Sequence, residues 1–189
     1  MSYKYVGGEL DLDNNPIVGF KRKVIALTNA SGAVTRTLLA SETGALVTIN
    51  PGSGTGSRTI AITLPTPAAG LFFDFVFVSD AGANTNDISW TTGDNAVDIK
   101  GVFQVGNYDP DASAAFTGTS MLMISANISK ITIDVSTGSN ALQVVDTSRF
   151  TCVSDGTHWY VNGFLNSNYI YLAPAAVGAL GGLVQSTSA

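Results

Sequence analysis

The chain reads Arg58-Thr-Ile-Ala-Ile-Thr-Leu-Pro-Thr-Pro-Ala-Ala-Gly-Leu-Phe-Phe-Asp-Phe-Val-Phe77 across its most regular stretch. Residues 59–64 alternate between large apolar and small or polar side chains, which is the period of a half-buried β-strand. Two prolines in residues 65–70 then force a bend, because proline fixes its own φ and favours extended geometry in the residue before it. Residues 71–78 are apolar on both faces apart from Asp74, which predicts a central strand covered on both sides.

Short apolar or alternating runs continue on both sides of this unit, separated by Gly, Asn and Asp turns. Many short strands of this kind predict an all-β fold, an antiparallel β-sandwich or jelly-roll-like domain. A single helical turn is predicted at 111–115, and no internal repeat of fixed period is found. The predicted strands are 24–28, 45–50, 59–64, 71–78, 87–92, 97–99, 102–105, 121–125, 131–135, 142–145, 150–154 and 157–162.

Three segments are predicted along the chain. Residues 1–23 are an irregular N-terminal arm, 24–164 the β-sandwich domain, and 165–189 an extended C-terminal tail rich in small apolar residues. The arm is the only locally basic part of the chain, and it fits either a docking arm or a solvated one. The tail fits either a strap over a neighbouring subunit or a loose terminus.

The composition limits the classes of partner. Only 12% of the 189 residues are charged, 45% are apolar, and the formal net charge is −5. An acidic chain of this kind lacks the basic face that nucleic acid requires, so no nucleic-acid partner is predicted. Because a soluble monomer usually carries more surface charge, the sparse charge predicts a surface covered by other copies of the chain or by a partner.

No membrane segment or secretion signal is predicted. The most apolar C-terminal run, residues 169–184, is interrupted by Pro174 and by Gly181-Gly182, and is too short and broken for a membrane span. The N-terminus has no apolar run of the kind that signal peptides contain.

No catalytic residue is predicted. His158 is the only histidine and Cys152 the only cysteine, and both lie in one predicted hairpin. A nucleophilic site would have to use them, but no oxyanion loop or orienting acid accompanies them. A single cysteine also excludes an intrachain disulfide, so Cys152 is predicted to be a small buried apolar filler.

Other candidate sites have structural alternatives, and for the acids the role of turn former is favoured. The acids Asp94, Asp98, Asp109 and Asp111 fit calcium ligands or ordinary turn formers. Glu42 fits a turn better than a buried acid. No metal or cofactor is predicted. The aromatic residues that fit either a sugar platform or the core are Trp90, Tyr108, Trp159 and Tyr160.

Two segments resemble structural proteins of tailed bacteriophages. The first runs from Leu38 to Phe77 and contains Ser-Glu-Thr-Gly, the Leu-Pro-Thr-Pro-Ala-Ala-Gly-Leu bend and the aromatic strand. The second is the closing Val153-Ser-Asp-Gly-Thr-His-Trp-Tyr-Val161. The resemblance spans roughly residues 38–163, and its specific motifs lie at the two ends. It implies turn-forming roles for Gly44, Pro65, Pro67 and Gly70, and domain-closing roles for Asp155, Gly156 and Trp159.

The resemblance implies a virion component, most often a head decoration protein and sometimes a fibre, and it brings no catalytic residues. We therefore expect a non-enzymatic capsid cement protein, trimeric, made in the host cytoplasm and bound to the major capsid protein on the virion surface, without nucleic-acid or membrane partners. The alternative is a receptor- or carbohydrate-binding module of a fibre or tail. A polysaccharide hydrolase is disfavoured, because no paired acids stand at a recognisable spacing. The predicted capsid or subunit contacts are Tyr3, Tyr5, Lys21, Arg22, Lys23, Tyr169 and Tyr171.

Overall fold

The computed structural model describes residues 4–6, 9–11, 22–30, 32–52, 58–78, 86–94, 96–107, 118–124, 128–134, 142–144, 148–170 and 183–186. In these residues the chain is almost entirely β-strand, and the predicted all-β, sandwich-like class is confirmed. The predicted helical turn at 111–115 lies outside the described residues.

The strands are short and follow one another at turns. They are β1 (Lys4–Val6), β2 (Glu9–Asp11), β3 (Val24–Thr28), β4 (Ala33–Thr37), β5 (Leu46–Asn50), β6 (Arg58–Thr63), β7 (Phe72–Phe77), β8 (Asn86–Thr91), β9 (Ile99–Asn107), β10 (Gly118–Ile124), β11 (Lys130–Asp134), β12 (Leu142–Val144), β13 (Arg149–Ser154), β14 (Trp159–Ile170) and β15 (Leu183–Ser186). One turn of 3₁₀ helix, η1 (Ala40–Glu42), precedes β5.

Two sheets form the sandwich. The eight-stranded sheet has the order β10-β9-β14-β13-β7-β5-β3, with β12 paired to β14 in addition. The five-stranded sheet has the order β15-β11-β8-β6-β4, and β1 and β2 form a separate two-stranded hairpin. Strand β7 lies inside its sheet between β13 and β5, as the central position predicted for it requires.

The strands from β3 to β8 follow a helical path around the sandwich and do not form hairpins. From β3 to β8, successive strands alternate between the two sheets, and each strand is parallel to the one two places earlier. When the chain crosses to the opposite sheet and back, the two strands that it places side by side in one sheet run in the same direction, as in a β-helix. Buried Asn29 stabilises the connection from β3 to β4, because its side chain donates hydrogen bonds to the carbonyl oxygens of Gly32 (2.9 Å) and Thr59 (3.1 Å).

The prediction of an antiparallel sandwich is therefore corrected to two mixed sheets. Among the described strands, the parallel pairs are β3–β5, β5–β7, β4–β6, β6–β8 and β14–β9, and the others are antiparallel. The hairpin predicted at Asp155-Gly156 does form, with Cys152 opposite Val161 and Ser154 opposite Trp159. Parallel pairing leaves no turn signature in the sequence, because the partners are joined through another sheet.

Strands also occur within the predicted arm and the predicted tail. β14 continues through residue 164 to Ile170, and Leu165 within it belongs to the core. β15, within the predicted tail, pairs with β11 at the edge of the five-stranded sheet. Within the predicted arm, β1 and β2 pair as a hairpin. The two large sheets thus include residues of β14 and β15 beyond residue 164.

The two sheets are joined by an aromatic cluster. The ring of Phe75 stacks on that of Phe150 with centroids 4.8 Å apart, and Trp90 from the five-stranded sheet meets both rings edge-on at 5.9 and 4.9 Å. Phe103 meets Phe150 edge-on at 5.2 Å. Such pairs add roughly 0.5–1.5 kcal/mol each to the free energy gained from burial. The cluster fixes which face of each strand points inward.

The outer face of β7 differs from the prediction. Its inward residues Phe73, Phe75 and Phe77 are fully buried, but Phe72 on the outer face is 41% exposed and Asp74 is half-buried. No other described element covers this side of the strand. The strand is central, as predicted, but among the residues that the structure describes it is covered by another sheet on one face only.

Glycine permits the close approach of β14 to its neighbours. A Cβ at Gly101 would lie 1.9 Å from the carbonyl oxygen of Val161, and Gly101 has a φ of +134°. A Cβ at Gly163 would lie 2.1 Å from the Cβ of Phe150 on β13. Glycine inside a strand often marks such close backbone contact.

We expect Gly101→Ala to lower the free energy of unfolding by about 3 kcal/mol or more, because the added methyl group overlaps backbone that cannot move without breaking the β9–β14 pairing. Gly32→Ala is the matched control, since Gly32 also has a positive φ (+87°) but nothing lies within 4 Å of an added Cβ. The control should lose only about 1–2 kcal/mol from backbone strain. Equal losses in urea unfolding would show that the overlap is unimportant.

Candidate functional site

The outer face of the eight-stranded sheet carries the main group of polar side chains that the core does not use. The register places Asp74 of β7 between Leu46 of β5 and Thr151 of β13, and Thr151 in turn lies opposite Asn162 of β14. Because Phe75 and Phe150 point into the core, their strand neighbours must point outward. The aromatic core therefore places this polar row on the outside.

Asp74 is the centre of a hydrogen-bonded network. The Arg22 guanidinium donates to its Oδ2 at 2.5 Å, and the Thr151 hydroxyl donates to its Oδ1 at 2.5 Å. Arg22 also donates to the carbonyl oxygens of Gly44 and Ala45, at 2.5 and 3.0 Å. The segment that leads into β3 is thus tied across β5 to the middle of the sheet, and both carboxylate oxygens of Asp74 are occupied.

A cavity of about 780 Å³ opens on this face. Its volume lies in the range of small-molecule binding sites. Polar and apolar side chains alternate across it because adjacent strands contribute both kinds. The lining residues are Arg22, Leu46, Asp74, Phe75, Val76, Val102, Gln104, Met121, Arg149, Phe150, Thr151, Asn162, Gly163 and Phe164.

Three polar side chains in the cavity are available to a ligand. Gln104, Arg149 and Asn162 are exposed, and none makes a side-chain hydrogen bond to any residue that the structure describes. The ring of Phe164 lies beside them, over the position where a Cβ of Gly106 would be. The arrangement can donate and accept hydrogen bonds above a partly apolar floor.

Sequence analysis missed this group. Each residue belongs to a strand in which polar and apolar residues alternate. Only the position of Asn162 on the surface was indicated by the sequence, because it shares a face of its strand with Tyr160. The parallel pairing of β9 with β14 and the antiparallel pairing of β13 with β14 place Gln104 and Arg149 on either side of β14, in the same cavity.

Glu42 lies in the turn before β5, as its sequence position favours, but it is also a buried acid, which the sequence did not favour. Its side chain is 5% exposed, and its Oε1 accepts from Lys23 at 2.7 Å and from Arg36 at 2.5 Å. The backbone N–H of Leu39 donates to Oε2 at 3.0 Å. The hydrogen bond from Lys23, then that from Leu39, holds the pKa of Glu42 below its usual value of 4.5 despite burial. The cluster anchors η1 to β4 and to the start of β3.

We expect Glu42→Gln to lower the free energy of unfolding by about 2 kcal/mol at neutral pH, because charge-assisted hydrogen bonds to a buried group are lost. The lowered pKa means that Glu42 stabilises the fold fully above about pH 5 and that the contribution is lost in acid. The gap between wild type and variant should therefore narrow as the pH falls. Ser41→Ala, at an exposed position of the same turn, is the control and should change stability by less than about 0.5 kcal/mol. A pH-independent gap would contradict this role for Glu42.

The closing hairpin contains a second ordered carboxylate. Asp155 Oδ1 accepts from the backbone N–H groups of His158 (2.8 Å) and Thr157 (2.7 Å), and its Oδ2 accepts from the Tyr160 hydroxyl at 3.0 Å. These bonds, the one from His158 first, lower the pKa of Asp155 to about 2. The same contact raises the pKa of Tyr160. The carboxylate shapes the turn at Gly156.

We expect the Asp155 carboxyl group to titrate near pH 2 by carbon-detected NMR, because backbone N–H donors favour its charged form. Its hydrogen bonds then stabilise the folded state above the ordinary pKa of 3.8, and this contribution is lost as the pH falls through about 2. Tyr160→Phe removes one donor and should raise the midpoint while leaving it below 3.8. A midpoint near 3.8 in the wild-type protein would refute the assignment.

The predicted turn residues bring the two resembling segments together. Gly44, Gly70 and Gly156 have φ values of +79°, +82° and +102°, in the region that favours glycine. The Trp159 indole donates to the carbonyl oxygen of Pro65 at 3.2 Å. Residues 70–71 exchange backbone hydrogen bonds with Ser154 at 3.0 and 2.8 Å. The proline bend, including Pro67, and the closing hairpin form one structural unit.

The predicted contact residues divide into two groups. Tyr3, Lys21 and Tyr171 lie outside the described residues, and Tyr5 and Tyr169 are described only by their positions in β1 and β14. Arg22 and Lys23 lie at the domain surface, where they form ion pairs with Asp74 and Glu42. Their charges therefore already serve the domain itself.

Cys152 and His158 do not form a site. Cys152 is buried opposite Val161, and burial, followed by the charge of Asp74, raises the pKa of its thiol. His158 lies in the hairpin loop, where its Nδ1 accepts a long hydrogen bond from the Asp98 backbone N–H at 3.4 Å. The cysteine has the role of a small core residue that its sequence position predicts.

Of the two roles left open for the tryptophans, a sugar platform does not form. Trp90 and Trp159 are buried in the core, where their rings lie 5.9 Å from those of Phe75 and Phe73. Tyr160 is exposed, and Tyr108 lies outside the described residues. The two tryptophans are thus core residues, one of the two alternatives left open above.

No cluster of three or more metal-ligating side chains occurs in the described part of the chain. Asp94 acts there as a turn former, since its Oδ1 accepts from the backbone N–H of Ala96 at 2.8 Å. Asp98 pairs with Lys100 at 3.6 Å. Asp109 and Asp111 lie outside the described residues. None of the helical structure described is long and apolar enough to span a bilayer.

Comparison with known proteins adds no relative. No family model matches the chain, and no curated protein or solved structure matches it either.

Proposed function

We propose that this chain is a non-enzymatic structural protein of a tailed-phage particle, which decorates and stabilises the outer surface of the capsid as a homotrimer. The observation that carries the proposal is the packing of the two resembling segments. Pro65 and Trp159 are 94 residues apart, yet they are joined by a hydrogen bond, and Ser154 pairs with residues 70–71. The motifs that suggest a phage protein therefore belong to one scaffold unit.

The surface supports an assembling protein. Large apolar side chains are exposed on the outer faces and edges of the eight-stranded sheet, and they include Val24, Phe72, Val153, Met121 (70% exposed) and Met123 (77% exposed). With only 12% charged residues in the chain, such a surface is suited to burial against other protein. Scattered apolar residues are ordinary, but here they share one sheet.

The mechanism of stabilisation is thermodynamic. A protein that binds the assembled shell but not its dissociated subunits shifts the equilibrium toward the shell by mass action. Three symmetry-related contacts per trimer make weak individual contacts strong together, provided that the geometry allows simultaneous binding. No chemical step is needed, which agrees with the use of Cys152 and His158 in packing and backbone hydrogen bonding.

We expect the purified protein to bind cognate shells that lack it at regular lattice positions, as cryo-electron microscopy would show. Trimers should have three times the 19.5 kDa chain mass by native mass spectrometry. Density confined to the tail or to fibres would instead favour a receptor- or carbohydrate-binding module. Absence from the particle altogether would contradict both.

We expect removal of residues 1–21 to abolish shell binding and to leave the sandwich folded. The deletion stops before Arg22 and Lys23, because their ion pairs with Asp74 and Glu42 stabilise the domain. Thermal unfolding of the truncated chain verifies folding, and co-sedimentation with shells measures binding. A full-length Tyr3→Ala, Tyr5→Ala variant tests two predicted contacts without shortening the chain. Unchanged binding by the truncated chain would exclude the arm as the docking element.

A further inference from the structure

The cavity on the outer face of the eight-stranded sheet has the properties of a ligand site, because it contains polar side chains that do not take part in the packing of the sandwich. Gln104, Arg149 and Asn162 are exposed there with no side-chain hydrogen bond to a described residue. The fold-supporting network of Arg22, Asp74 and Thr151 lies at its side with every charge matched. The hydrogen-bonded network thus forms one wall of the cavity, and Gln104, Arg149 and Asn162 provide hydrogen-bonding groups without partners among the described residues.

We infer that this cavity binds a saccharide that carries a carboxylate group. Arg149 supplies a planar guanidinium, which matches a carboxylate with two parallel hydrogen bonds. The amides of Gln104 and Asn162 both donate and accept, as recognition of vicinal hydroxyl groups requires. The half-buried Phe164 and the aliphatic Val102 offer an apolar surface for the C–H face of a sugar ring.

The charge of the site favours an anionic ligand over a neutral one. The cavity contains the cations Arg22 and Arg149 and the anion Asp74, a net charge of +1 in a chain whose net charge is −5. Arg22 is already neutralised by Asp74 at 2.5 Å, so Arg149 provides the excess positive charge. A locally positive site on an acidic protein attracts an anion that the rest of the surface repels.

The shape and polarity favour a saccharide over an extended peptide. The cavity lies over the middle strands β14, β13 and β7, whose backbone groups are already paired on both sides. A peptide could not add a strand there, so recognition depends on side chains alone. The polar groups stand between apolar ones on adjacent strands, which suits a ligand with hydroxyl groups around a ring. The inference holds for a capsid protein or a fibre protein whose contacts leave the cavity open, as contacts through Phe72 and Val153, which do not line it, would.

The test begins with the full-length protein on an array of uronic-acid, sialic-acid and neutral oligosaccharides. The strongest acidic binder is then titrated by calorimetry, beside the same oligosaccharide with its carboxylates reduced to alcohols. We expect at least about 10-fold weaker binding of the reduced sugar and at least about 10-fold weaker binding of the acidic sugar to Arg149→Ala, because each change removes the charge-assisted pair. Binding should also weaken with added salt.

A matched variant separates a specific role from the loss of one positive charge. Lys100→Ala removes a cation from the same outer face but outside the cavity, and it should change affinity by less than about twofold. In methyl NMR, Met121, which lines the cavity, should shift more on titration than Met123, which does not. Failure of the array to retain any acidic saccharide, equal losses in the two variants, or equal affinity for the reduced sugar would each overturn the inference.

Discussion

The structure depends on the aromatic contact between the two sheets. Phe75 and Phe150 stack in the eight-stranded sheet, and Trp90 from the five-stranded sheet meets both rings edge-on. This contact decides the facing of β7, β8 and β13, because a shift of one residue would turn every side chain of a strand to the other side. The neighbours of these aromatic residues, Asp74 and Thr151 among them, are thereby committed to the outer face.

The outer face therefore follows from the core. Asp74 is the exception in an otherwise apolar strand, and it is tolerated because Arg22 and Thr151 satisfy both of its oxygens. A half-buried carboxylate without such partners would cost free energy. Its network ties the segment before β3 to β7 and β13 at the wall of the cavity. Because successive residues of a strand face opposite sides, the aromatic residues that point into the core determine which polar residues lie on the surface.

Two kinds of polar cluster in this chain have different roles. Glu42 and Asp155 accept hydrogen bonds from their own chain, and their pKa values are lowered as a result. They hold turns in place. Gln104, Arg149 and Asn162 have no such partners among the described residues, so their polarity serves no packing purpose that the structure shows. This contrast separates residues that stabilise the fold from residues that are available to a ligand.

Local patterns were sufficient to predict most strands between residues 24 and 164, the proline bend and the closing hairpin, because strand periodicity and turn chemistry act between near neighbours. They did not predict β4 or the strands outside that range. The turn at Gly156 is a consequence of such patterns, whereas the sequence left Trp159 open between the core and a sugar platform. The mixed sheets, the burial of Glu42 between Lys23 and Arg36, and the cavity at Arg149 were not predictable in this way. The parallel pairs of β3 to β8 are joined through the opposite sheet, Glu42 meets Lys23 from 19 residues away, and the cavity needs the parallel pairing of β9 with β14. No turn in the sequence signals any of these contacts. The chain alone thus determined an all-β fold with a given inward face, while the tertiary structure decided which strands are neighbours, because long-range parallel pairing is set by the packing of whole sheets.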